Sequence, residues 1–77
     1  MTRDEANQRL VLSRHTATRY ELSPGPFTDP KGELRLFGEE IATLEGIAME
    51  HPTKTVTIAQ LIARWRALQE RIKAKAN

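Results

Sequence analysis

Seventy-seven residues, 39% of them hydrophobic and none of them cysteine, allow one domain spanning 1–77 and exclude disulfides and thiolate metal sites as its staples. A chain this short buries only ~60% of its extended surface, so efficient helix packing or association with another chain has to supply the stability. The net charge of +2 hides three zones: four cations against two acids in residues 1–20, seven acids against two cations in 21–50, and six cations against one acid in 51–77.

The charged start, Met1 to Glu5, has no apolar stretch behind it, so a secretory leader is not expected. The longest apolar runs, such as Leu10–Leu12 and Leu61–Ala63, fall far below the ~20 residues that span a bilayer. A cytoplasmic protein with no membrane partner is expected.

Thr2-Arg3-Asp4-Glu5 is a capping box, in which the Thr hydroxyl accepts from the backbone three residues on and Glu5 reaches back. It opens a helix from Arg3 to about His15, with Ala6, Leu10 and Ser13 on one side. From Thr16 to Phe37 the pattern changes. Thr18, Tyr20 and Leu22 alternate with Arg19 and Glu21, and Leu34 and Leu36 alternate with Glu33 and Arg35, the period of two short strands. Ser23 to Gly32, between them, holds three prolines and two glycines, and Asp29-Pro30-Lys31-Gly32 suits a type I turn. A short β-hairpin is the expectation. The competing reading makes Asp29 the cap of a longer helix with Pro30 at its first position, against which Gly32 and Gly38 count.

A middle helix is expected from Glu39 to Glu50, with two acids in its first turn and Ile41, Leu44, Ile47 and Ala48 at helical spacing. Gly46 inside it marks either a close helix approach or a tolerated cost, and Pro52 ends it. Thr57-Ile58-Ala59-Gln60 repeats the capping box in its Gln form, with Val56 and Leu61 as a hydrophobic staple, and opens a helix to about Lys75. Ile58, Leu61, Trp65, Leu68 and Ile72 then fall at steps of three and four, the seam of a coiled coil or of a helical core. Arg64 and Arg71 flank this seam, so its best partner is an acidic helix, and the chain contains one with Glu39, Glu40, Glu45 and Glu50. The expected fold is therefore mainly α: a small three-helix domain with a short β-hairpin between helices 1 and 2 (α+β).

Catalytic patterns are missing. His15 and His51 belong to no HxxxH or HExxH pattern, and a zinc site wants three or four protein ligands. No GxSxG elbow or glycine-rich phosphate loop is present, Ser13 and His15 point to different faces of a helix, and Glu39 and Glu40 are adjacent and not stacked. No catalytic, cofactor-binding or metal-ligating residue is assigned.

The run Leu34–Phe37, then Glu40-Ile41 through His51-Pro52, then Val56–Ile62 with Trp65 resembles the first strand and two helices of response-regulator-type winged-helix DNA-binding domains. The resemblance covers about half of the chain. That family continues with a recognition helix and a wing hairpin, which have no counterpart here, so no functional residue is carried over.

The sequence thus points to a non-enzymatic protein-binding module, an inhibitor- or accessory-type regulator that occupies the surface of a larger intracellular protein or nucleoprotein complex, with a homodimer as a further option. The alternative is a DNA-binding transcriptional regulator that sets the basic last helix against phosphates. Expected contact residues are Arg64, Arg66, Arg71 and Lys73, together with Phe27, read either as an aromatic anchor in a rigid loop or as part of the core.

Overall fold

The computed structural model describes residues 1–23 and 29–76. Three long helices follow one another: α1 (Arg3–Leu22), α2 (Pro30–Glu50) and α3 (Thr55–Ala76), with a single 3-10 turn, Pro52–Lys54, joining the last two. Among the described residues there is no strand.

Both expected strands are helical. Thr18 to Leu22 continues α1, where the Thr16 and Thr18 hydroxyls donate to the carbonyls of Leu12 and Arg14, each at 2.9 Å. Leu34 to Phe37 lies in the early turns of α2. Asp29 caps that helix, its carboxylate accepting from the Gly32 N–H at 3.2 Å, and Pro30 takes the first position, where a missing N–H costs nothing. The winged-helix likeness loses its strand by the same finding.

Neither glycine breaks α2, for different reasons. A Cβ on Gly32 would lie 2.1 Å from Asp29 Oδ2, so the bare position leaves room for the capping carboxylate. Gly38 faces α3, with Gln69 Nε2 3.7 Å from where a Cβ would sit. Gly46 meets nothing within 4 Å, so in the monomer it is a tolerated residue and not a close approach.

The Thr2 capping box is present, with Glu5 N to Thr2 Oγ1 and Thr2 N to Glu5 Oε1 both at 3.1 Å. The second box is not. Pro52 starts a turn closed by Lys54 N to His51 O at 2.9 Å, which delivers the chain into α3 at Thr55 and puts Thr57 and Gln60 inside the helix. Val56 is 72% exposed and staples nothing to the buried Leu61.

Contacts along the helices set an up-down-up bundle 39 Å long and 18 Å across. Met1 meets Glu50, Arg9 meets Glu40 and Tyr20 meets Phe37, so α1 and α2 are antiparallel. Asn7 bonds Lys54 and Glu21 bonds Arg64, so α1 and α3 run parallel. The whole expected seam of α3, Ile58, Leu61, Trp65, Leu68 and Ile72, is buried within the monomer against Phe37, Ile41, Leu44 and Ile47 of α2. From α1 come Ala6, Leu10, Ser13 and Ala17, with the partly buried Tyr20 packed against the cluster.

Each helix contributes one aromatic ring to a common cluster. Tyr20 and Phe37 lie 4.7 Å apart, Phe37 and Trp65 5.0 Å, and Tyr20 and Trp65 6.2 Å. Tilted and edge-on rings at these distances add about 0.5–1.5 kcal/mol per pair beyond the area they bury. Trp65 is buried and donates its indole N–H to Ser13 Oγ at 2.9 Å, which ties α3 to α1.

Candidate partner-binding surface

The small residues that α1 turns inward bring its backbone close to α3, and polar side chains meet on one rim of that contact. Asn7, Arg14, Thr18 and Glu21 recur at steps of three, four and seven and so share one edge of α1. Opposite them α3 and its preceding turn offer Lys54, Thr57, Gln60, Arg64 and Arg71. Lys54 Nζ donates to Asn7 Oδ1. Arg14, Thr57, Gln60, Leu61 and Arg64 line a recess of about 120 Å3.

Arg64 is the most constrained cation. Its Nε and Nη2 donate to Glu21 Oε2 and Oε1 at 3.1 and 2.6 Å, a fork onto one carboxylate, and Nη2 also donates to Thr18 Oγ1 at 2.9 Å. These bonds hold the Glu21 carboxyl below the usual carboxylate range, and Glu21 in turn raises the Arg64 guanidinium. Arg71 Nη2 donates to the Glu21 carbonyl at 3.3 Å and so serves one of the open carbonyls at the end of α1. The acidic partner of Arg64 is therefore Glu21 of α1, whose carbonyl also takes Arg71, and not the acidic face of α2. On α2, Glu40 takes Arg9 at 2.6 Å instead.

The expected contact residues divide. Arg64 and Arg71 are half-buried on the α1 side, whereas Arg66 and Lys73, also seven apart, are exposed on another face of α3. Lys73 makes one long contact, 3.4 Å, to Glu70 in its own helix. Phe27 and the loop around it lie outside the described residues. Two cations missed from sequence, Arg14 and Lys54, join Arg64 and Arg71 on the α1–α3 rim. The result is a strip of four cations with one carboxylate, Glu21. From Lys54 in the preceding turn to Arg71 of α3 it spans about 25 Å at helical rise.

The residues weighed for chemistry are placed apart. His15 is exposed on α1, while His51 caps α2, with its Nε2 3.2 Å from the Met1 carbonyl. Ser13 lies inside the core under Trp65. Among the described residues, no group of three or more His, Asp or Glu side chains is placed to hold a metal ion, and no helix is long and apolar enough to cross a membrane.

Comparison with known proteins finds no family model that matches the chain, and no curated protein or solved structure similar to it.

Proposed function

We propose that this chain is a non-enzymatic binding module that regulates a larger protein by covering an acidic surface on it. The strip of Arg14, Lys54, Arg64 and Arg71 along the α1–α3 rim carries this reading, since four cations face one carboxylate there. A rim pre-ordered by Glu21 and Thr18 loses little side-chain entropy on binding, which favours affinity. Cationic steering of an acidic partner also speeds encounter.

Calorimetry with a partner recovered by affinity capture tests it. Lys54→Glu/Gln60→Glu cancels the net positive charge of the strip while leaving the Arg64–Glu21 fork and the core alone. It is expected to weaken binding at least tenfold, whereas equal affinity would remove the strip from the interface. Arg66→Glu/Lys73→Gln, on the other face, changes the net charge by the same amount and is the matched control for a nonspecific charge effect.

A nucleic-acid backbone is the second polyanion such a row of cations fits. Gel-shift binding at low salt that collapses as salt rises would favour it, through counterion release. The absence of a shift at about 50 mM salt would set it aside.

A further inference from the structure

We propose that this chain self-associates head to tail, the outer face of α1 on one copy seating on α2 and the α2–α3 groove of the next. The bundle turns two unlike surfaces to solvent. On α1 between Gln8 and Leu22, the exposed side chains include Val11, Leu12 (59% exposed) and Leu22 (78%), with Arg14 and Arg19, while the carboxylate of that stretch, Glu21, is turned to α3 and paired with Arg64. On α2 between Glu39 and Glu50, the exposed side chains include Glu39, Glu45, Glu50 and Met49 (84%), with no cation. Over these stretches one face is apolar and positive and the other apolar and negative, with the exposed Asp4 and Glu5 of α1 and Lys31 and Arg35 of α2 lying beyond them, in the early turns of their helices.

The second face also has relief. Ala48, Met49, Ile58, Ala59 and Ile62 line a groove of about 300 Å3 whose one charged wall residue is Glu45. Beside it Gly46 is bare backbone, with nothing within 4 Å of a would-be Cβ, which leaves room for a second helix to come close. α1 cannot use its own groove, because its inward face, Ala6, Leu10, Ser13 and Ala17, is already committed to the core. A second copy supplies both missing halves at once, matched in charge and in apolar character. A contact between two different faces is heterologous, so it propagates into a ring or an open chain and does not stop at a two-fold dimer.

This reading concerns a different surface from the α1–α3 strip, with Arg14 at the border, and its test needs no partner. Sedimentation velocity of the purified chain from micromolar to millimolar concentration should show mass rising with concentration. Arg14→Glu/Arg19→Glu and Glu39→Lys/Glu45→Lys should each be monomeric alone, while an equimolar mixture should assemble again, because every contact in it joins opposite charges. Met49→Ser reads the apolar half and should weaken self-association at least tenfold. Circular dichroism checks that each variant stays helical. A wild type that is monomeric at millimolar concentration overturns the proposal, as does association that survives either reversal, or a mixture that fails to assemble. Wild type that binds phosphatidylserine vesicles without self-associating would also overturn it and give the α1 face to an anionic membrane.

Discussion

Trp65 is the side chain on which the registers of all three helices converge. It packs at a tilt against Phe37 from α2, lies beside Tyr20 from α1 and places its one polar atom on Ser13. A buried indole N–H without an acceptor carries its full desolvation cost, so Ser13→Ala should destabilise by about 1–3 kcal/mol, even though alanine is the better helix former by a few tenths. Urea denaturation checks this, and an unchanged midpoint would mean that the bond contributes nothing. Glu21 gives a second residue-level expectation. Its folded pKa is depressed by Arg64, so its contribution is present above the unfolded carboxylate value and is lost as pH falls through the folded one. Being about one-third exposed, the pair contributes no more than about 1 kcal/mol. The stability gap between wild type and Glu21→Gln should therefore be small but measurable at neutral pH and should close in strong acid. A gap that persists there would show that the pair is not its origin.

At the scale of the element, α2 depends on what surrounds its glycines. Gly32 leaves space for the Asp29 carboxylate that caps the helix, whereas Gly46 faces open solvent. Replacing Gly46 by Ala removes the backbone-entropy penalty with no steric cost and should stabilise the dilute monomer by about 0.5–1 kcal/mol. Gly32→Ala should give no such gain, because its methyl group displaces the cap. Thermal unfolding of both variants decides between them, and a gain at Gly32 equal to that at Gly46 would disprove this account of the cap. The same helix shows how its sequence misleads. Alternation from Glu33 to Leu36 has the period of a strand, but Leu34, Phe37, Ile41 and Leu44 continue the helical spacing back from the core, and Leu36 is left exposed. A five-residue alternation in α1 fails in the same way: Tyr20 packs inward while Leu22 faces solvent.

For the whole molecule, the core is shared unequally. α2 and α3 bury large aliphatic and aromatic side chains against each other, each worth ~1.5–3 kcal/mol when fully buried. α1 contributes one leucine, three small residues and the partly buried Tyr20, with Arg9–Glu40 and Arg64–Glu21 as its clasps. It should detach at lower free energy than the α2–α3 hairpin, so hydrogen exchange in α1 should be faster than in the other two helices. Equal protection across the three would show a single cooperative unit.

The sequence alone determined the helix-forming seams, the Thr2 cap and the end of α2 before Pro52, because each rests on spacing or on local backbone chemistry that holds wherever the segment lies. It also located Arg64 and Arg71 as flanking the seam of α3. Only the tertiary structure decided that Thr18–Leu22 and Leu34–Phe37 are helical, since short alternation fits either period and burial against Trp65 settles which one is stable. The tertiary structure likewise decided that Glu21 is the partner of Arg64 and that Arg14 and Lys54 complete the cationic strip. Those residues lie 43 or more positions apart in pairs such as Glu21–Arg64 and Asn7–Lys54, and the packing of parallel helices, which local spacing does not encode, brings them together.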